Sequence, residues 1–239
     1  MLITTNAIVL SKLKYRDNDL IVKCYTQEKG IVSFLLRGVL KSKKGNSKVA
    51  YFQLLSQLQI VFTHKNGRSL QSIKETKLDY LYSSLHTNIL KGSIVMFLSE
   101  VLSNTLQEEE QNETLYSYLE NTLLWLDSQS EYANFHLLFL LKLTKYLGFY
   151  PDTTNIDAAY FNLYEGKFEM KQSNKYAISG ENLTLLKQLL GITFDALPSI
   201  KINAKQRQSF LSMILLYFEL HLGSFKTPKS LQIFNQVFS

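Results

Sequence analysis

Leu20-Ile21-Val22-Lys23-Cys24-Tyr25-Thr26-Gln27-Glu28-Lys29-Gly30-Ile31-Val32-Ser33-Phe34-Leu35-Leu36 holds two apolar, β-branched-rich runs joined by a polar, glycine-ended turn. Such a pattern reads as a β-hairpin. In the second run Val32, Phe34 and Leu36 fall on one face and Ile31, Ser33 and Leu35 on the other. A half-buried strand needs that alternation, because successive side chains point to opposite sides of a sheet.

Working outward, Ala7 to Leu13 is a preceding strand, turned by Tyr15-Arg16-Asp17-Asn18-Asp19. Downstream, Leu54 to Phe62 is a fourth strand with Leu54, Leu58, Ile60 and Phe62 in phase. Asn66-Gly67 predicts a tight hairpin turn, and Leu70 to Glu75 a fifth strand. Five short strands in about 75 residues predict a small barrel. An OB-fold is the commonest five-stranded version, and an SH3-like barrel gives a similar pattern. Cys24 reads as a small buried hydrophobe within its strand.

Past Asp79 the hydrophobic period changes from two to 3.6. Ile89 to Leu106 and Leu115 to Leu126 predict amphipathic helices, separated by the acidic connector Glu108 to Glu113. Residues 134 to 147 are apolar nearly all round, as expected of a covered central helix, and stop at Gly148 before Pro151. Tyr160 to Glu169 predicts a hairpin turning at Glu165-Gly166; Leu183 to Leu190, Ala204 to Leu222 and Lys229 to Val237 predict further helices. The predicted fold class is therefore α+β, with an OB-fold-like barrel over 1–78 and a helical domain over 79–239. Residues 151–181 form a small irregular insert.

Charge divides along the same line. Residues 1 to 80 hold 14 Lys and Arg against 5 Asp and Glu, while the rest hold 12 against 15. The barrel thus carries a surplus of nine positive charges and the body a deficit of three, which points to an anionic partner for the barrel. Five cations crowd into Arg37-Gly38-Val39-Leu40-Lys41-Ser42-Lys43-Lys44-Gly45-Asn46-Ser47-Lys48, with no acid among them. Its glycines and serines predict a mobile loop between two strands, suited to a phosphate backbone or simply solvated. Tyr51 and Phe52 read first as anchors of the next strand and second as platforms for bases.

Chemistry is otherwise sparse. Cys24 is the sole cysteine, so neither an internal disulfide nor a multi-thiolate zinc site is available. His64, His86, His136 and His221 are scattered, and no phosphate loop, nucleophile elbow or His-Glu-x-x-His motif occurs. The adjacent acids Glu108 to Glu110 point in different directions, so a metal-dependent nuclease is a distant reading. No signal peptide or membrane-length apolar run is visible, and the expectation is a cytoplasmic protein.

The order of features resembles the bacterial recombination mediator RecO family. The resemblance is carried by Ala7-Ile8-Val9-Leu10, Tyr15 to Val22, Tyr25 to Gly30 and Arg37-Gly38 with its Lys/Ser-rich loop. It continues in Leu141 to Pro151 and in Leu222-Gly223 followed by Lys229-Ser230-Leu231. Many members carry four zinc-binding cysteines after the Leu-Gly-x-x-Pro motif, but Asp152 to Glu181 has none. The expectation is accordingly a zinc-free version without cofactors, its insert held by aromatic packing.

The resemblance implies a non-enzymatic DNA repair protein associated with the nucleoid. It implies binding of single- and double-stranded DNA, annealing of complementary strands, and assistance to the recombinase RecA in replacing single-strand binding protein. RecR, the acidic tail of single-strand binding protein and RecF are the implied partners. The candidate DNA contacts are Lys12, Lys14, Arg16, Arg37, Lys41, Lys43, Lys44 and Lys48. Lys142, Lys145, Lys201, Lys205 and Arg207 are candidate edges of a groove for the acidic tail. A protein-interaction adaptor, with a basic barrel receiving an acidic partner, is the alternative from another class.

Overall fold

The computed structural model describes residues 1–41, 49–106 and 111–238. By contact the chain forms two compact units. One is 1–128 together with Pro228–Ser230, and the other is 129–227 together with Leu231–Ser239. The expected boundary at 78/79 marks where the strands end, whereas the contacts divide the chain some fifty residues later, after two helices.

In the first unit β1 (Leu2–Tyr15), β2 (Asp19–Thr26), β3 (Gly30–Leu36), β4 (Gln57–Thr63) and β5 (Ser72–Leu78) form one antiparallel sheet in the order β3-β2-β1-β4-β5. β1 runs the whole height of the sheet and not only Ala7 to Leu13. Its first half pairs with β4, its second half with β2, and an irregularity between Val9 and Ser11 bends it from one to the other. The sheet curls until Phe34 bridges Gln71 in parallel; the Leu35 N–H donates to the Gln71 carbonyl (3.0 Å) and the Gln71 N–H to that of Ser33 (2.8 Å). This connectivity is that of a partly open, OB-fold-like barrel.

Alternation decides what lies inside. Val22, Cys24, Val32, Phe34, Leu58, Ile60 and Phe62 fill the interior with Ala7 and Val9. Phe34 and Phe62 meet edge to face at 5.2 Å between ring centroids. Burial pushes the Cys24 thiol well up, and it packs as the expected small hydrophobe. Two details depart from expectation. Leu54 is not in β4: the next residue, Leu55, has φ 58°, in the left-handed region, and the strand begins only at Gln57. The connection at Asn66-Gly67 is an eight-residue loop, 64–71, wound around one side chain. Gln71 Oε1 accepts from the Lys65 N–H at 3.0 Å, and its Nε2 donates to the Lys65 (3.1 Å) and Arg68 (2.8 Å) carbonyls.

The outer side of β1 and β2 is covered by α1 (Ile89–Thr105) and α2 (Glu113–Ser128). Asn88 caps α1, its Oδ1 accepting from the Leu90 and Lys91 N–H groups. At the other end Lys23 of β2 donates to the Ser103 (2.7 Å) and Leu106 (3.2 Å) carbonyls, where a cation favours the negative helix terminus. Tyr25 stacks on Tyr116, and Gln57 Nε2 donates to the Glu120 carbonyl. Glu100 of α1 accepts from the Lys229 and Ser230 N–H groups (2.8 and 2.9 Å) and the Ser230 hydroxyl (2.7 Å), which fastens Pro228–Ser230 to this unit.

The second unit is built on α3 (Phe135–Tyr146), α4 (Gly180–Leu189), α5 (Ala204–His221) and α6 (Leu231–Val237). Its insert is a small sheet of β6 (Tyr160–Asn162), β7 (Lys167–Glu169) and β8 (Ala177–Ile178) in the order β7-β6-β8. Phe161 and Phe168 are buried against each other at 4.8 Å, and Phe161 also meets Tyr217 of α5. The hairpin turns at Gly166, with φ +68°; a Cβ there would sit 2.8 Å from Tyr217 Oη. That hydroxyl is fixed, since Tyr217 is buried and donates to the Phe149 carbonyl at 2.7 Å. Gly166→Ala therefore combines left-handed strain with overpacking and should cost about 2–4 kcal/mol of stability, read from urea unfolding. A loss under 1 kcal/mol would mean that the turn relaxes freely.

His136 on α3 is wholly enclosed, with its ring 4.7 Å from Phe234 and 5.9 Å from Phe238, and neither ring nitrogen has a partner. Burial, aided by the Arg207 charge, holds its pKa down to about 3. The folded state keeps the imidazole neutral, while the unfolded chain protonates it below about 6.5. Its contribution to stability is thus complete above 6.5 and declines by about 1.4 kcal/mol per pH unit as pH falls from there toward 3. His136→Phe should flatten the pH dependence of the unfolding midpoint between pH 7 and 5, and leave stability at pH 7 equal or higher.

Candidate nucleic-acid interface

The β1–β2 turn and the residues after β3 come together at one end of the sheet. Asp19 Oδ1 accepts from the Gly38 N–H at 2.8 Å, and the Leu40 N–H donates to the Asn18 carbonyl at 3.1 Å. Gly38 has φ +65°, a conformation a side chain would strain, which lets the chain fold back onto the turn. Val39 enters the barrel interior while Arg37 and Lys41 stay exposed.

Arg16, at the β1–β2 turn, is also exposed, with its guanidinium 5.2 Å from the Tyr15 ring centroid. Lys12 and Lys14 face the same side as their cross-strand partners Val22 and Leu20, but beyond the part of β1 that pairs with β4, so both are solvent-exposed. Leu20 in turn pairs with Leu36, which puts Lys14 and the end of β3 about 10 Å apart, two strand spacings. The structure thus gathers Lys12, Lys14, Arg16, Arg37 and Lys41 at one end. Lys43, Lys44 and Lys48 lie outside the described residues.

Beside Arg37 is a cleft of about 230 Å³ lined by Leu35, Tyr51, Phe52, Ile73, Lys74 and Thr76. It separates the two aromatics of the sequence reading. Phe52 is an anchor, buried in the barrel core, whereas Tyr51 is exposed at the cleft. Lys74 was missed by sequence reasoning. No local pattern announces it: Lys74 is the unpaired residue at the irregularity in β5, where Glu75 pairs with Val61 and Ile73 with Phe62. The charge count, conversely, overstates the free cations, because Lys23 is committed to the carbonyls of α1.

The five cations proposed for an acidic tail divide into two groups in the second unit. Lys142 and Lys145 lie one turn apart near the C-terminal end of α3, where burial and then Lys145 lower the Lys142 pKa. Lys201, Lys205 and Arg207 surround the start of α5. Arg207 is occupied: its Nη1 donates to Asn134 Oδ1 (2.8 Å) and the Ile202 carbonyl (3.2 Å). Asn134 directly precedes α3, so Arg207 sits about 12 Å or more along that helix from Lys142. The two groups do not form one site.

A basic, partly open five-stranded barrel covered by helices belongs to the OB-fold-like class. Residues 1–82 match the model "Recombination protein O N terminal" and residues 86–231 "Recombination protein O C terminal". The chain is 51% identical over 238 residues to the DNA repair protein RecO of Christiangramia forsetii. It is 44% identical over 239 residues to that of Flavobacterium johnsoniae and 34% over 242 to that of Bacteroides fragilis, each match covering both chains in full. The chain belongs to the RecO family, and its role lies in DNA repair and recombination. Among the described residues no helix is long and apolar enough to cross a membrane.

Proposed function

We propose that this protein is a recombination mediator. It binds single- and double-stranded DNA without sequence preference, anneals complementary strands and, with RecR, helps load RecA onto DNA coated by single-strand binding protein. The observation that carries the reading is the cluster Lys12, Lys14, Arg16, Arg37 and Lys41 beside the exposed ring of Tyr51. Cations aligned with strand ends neutralise phosphates and release counterions, an interaction indifferent to base identity. An exposed aromatic adds stacking on any base, worth about 1–3 kcal/mol.

Such a function needs no reaction centre, and among the described residues no cluster of three or more His, Cys, Asp or Glu is placed to hold a metal ion. The tetrathiolate zinc site of many family members does not fit the residues present. Asp152 to Glu181 offers no thiol, and Glu169 is engaged by Ser173 and Asn162. We read the protein as zinc-free, non-enzymatic and nucleoid-associated. The acidic tail of single-strand binding protein is assigned to one of the two lysine groups of the second unit, and RecF to the same assembly.

Salt titration tests the reading. Affinity for a single-stranded oligonucleotide should fall with a log–log slope of about −3 if four or five phosphates are neutralised at roughly 0.7 each. Strand annealing should accelerate in the same buffers. Absence of binding at about 50 mM salt would leave an adaptor for an acidic protein partner as the reading.

A further inference from the structure

β3 and β5 are the two outer strands of the five-stranded sheet, and they meet in parallel at the Phe34–Gln71 bridge. Past that bridge no further ladder joins them among the described residues. The cleft beside Arg37 is the seam this leaves. Leu35, Leu36 and Arg37 line it from the end of β3, and Ile73, Lys74 and Thr76 from β5. Val39 and Phe52 of the barrel core, 9% and 3% exposed, complete an apolar lining, with the exposed cations Arg37 and Lys74 beside it. At about 230 Å³ the seam is smaller than the roughly 300–1,000 Å³ of small-molecule pockets, a size for one large side chain.

The main chain of β5 shows what kind of ligand the seam suits. The Asp79 N–H donates to the Gln57 carbonyl at 3.0 Å, and the register sets Lys77 opposite Gln59 and Glu75 opposite Val61. Antiparallel ladders alternate, so these three residues turn their N–H and C=O groups toward β4, and Thr76 and Leu78 turn theirs to the free edge. Leu78 shares the side-chain face of Thr76, two residues on, and is 38% exposed. An edge of this kind is a template for one more strand.

We propose that the free edge of β5 takes an extended, acidic segment of a partner protein as an added strand. One apolar side chain of that segment sits among Leu35, Phe52 and Ile73, and a second covers Leu78. Its acids meet Arg37 and Lys74, and among the described residues no carboxylate lines the seam to oppose them. A polynucleotide has no alternating N–H and C=O groups and would leave both the edge and the apolar socket unanswered. A second copy would bring its own Arg37 and Lys74, on a barrel that already carries nine surplus positive charges. The inference goes beyond the DNA-binding reading and does not depend on it.

The test titrates full-length protein, without DNA, into a fluorescent peptide of three Asp-Leu repeats with both ends blocked. Alternate amides of an added strand face β5, so methylating the Leu nitrogens and methylating the Asp nitrogens should differ. One set is expected to weaken binding by about 10-fold or more and the other by less than about twofold. Thr76→Pro removes one N–H from the free edge, a position where an edge strand accepts proline, and should cost about 10-fold. Lys74→Glu should weaken this peptide and strengthen a Lys-Leu peptide by about fivefold each. Equal sensitivity to the two methylated sets would reduce the contact to charge attraction and overturn the proposal. So would absence of binding at about 1 mM peptide, or a dimer of the parent that Thr76→Pro dissolves, which would give the edge to a second copy. Loss of oligothymidylate affinity but not peptide affinity in Thr76→Pro would give it to DNA. Should Thr76→Pro lower the thermal midpoint, the two methylated peptides decide the matter on the parent protein alone.

Discussion

Reversing Lys14, Arg37 and Lys41 to glutamate is expected to lower affinity for single-stranded DNA at about 0.1 M salt by about 100-fold or more. Each cation on a phosphate releases about 0.7 of a counterion, worth roughly a fivefold change in affinity at that salt, and three contacts multiply. Reversal adds repulsion to the loss. The side chains are exposed at the end of the sheet and Arg37 and Lys41 flank a backbone held by Asp19 and Asn18, so folding is not at stake. Circular dichroism should show the parent's thermal midpoint. Lys145→Glu/Lys201→Glu/Lys205→Glu, three reversals in the second unit, serves as the charge-matched control. Equal binding by the triple variant would move the contact surface away from this end of the barrel.

The second large effect is structural. Asp127, at the end of α2 and only 4% exposed, accepts five hydrogen bonds: from the N–H groups of Ser83 (2.9 Å), Ser84 (2.8 Å) and Leu85 (2.7 Å), and from the Ser83 and Ser84 hydroxyls. Its own carbonyl takes the buried Lys91 ammonium at 2.8 Å. This one residue organises the segment that leads from the last strand into α1. Asp127→Ala orphans three backbone donors and removes the carboxylate whose charge favours the Lys91 ammonium, so about 3–5 kcal/mol of stability should be lost. Asp127→Asn keeps an acceptor and should lose less.

Burial alone would raise the carboxyl pKa, but the backbone donors outweigh it and hold the pKa down to about 2. A carboxylate with a depressed folded pKa stabilises fully above its unfolded value of 3.8. The contribution fades as pH falls from there toward 2, at about 1.4 kcal/mol per unit. Acid unfolding of Asp127→Ala should therefore lack this component, and an unchanged acid profile would assign it to other carboxylates.

What the sequence made legible was whatever depends on period. The alternation in β3 put Val32, Phe34 and Leu36 on one face, which the fold turns inward, and the 3.6-residue spacing located the helices to within a few residues. What it concealed depends on distant partners. Nothing local says that β1 extends to Leu2, because that half is a strand through its pairing with β4. Asn66-Gly67 has the composition of a tight turn, yet Gln71 shapes the loop by reaching back to Lys65 and Arg68. The basic loop and the strand ends were recognisable as charge. Tyr51 and Lys74 could not be set beside Arg37 until β5 was folded against β3. Arg207 looked like a free cation until Asn134, far away in sequence, was found bonded to it.

The strap of Pro228–Ser230 on Glu100 bears on how the protein is made. Synthesis proceeds from the N-terminus, and early domains usually fold as they emerge. Here the carboxylate of Glu100 meets donors that lie 129 and 130 residues further along the chain. A nascent chain, or one cut short by a late stop codon, carries the whole barrel with that carboxylate unanswered. Completion of the first unit thus waits until residues 129–227 of the second have been synthesised.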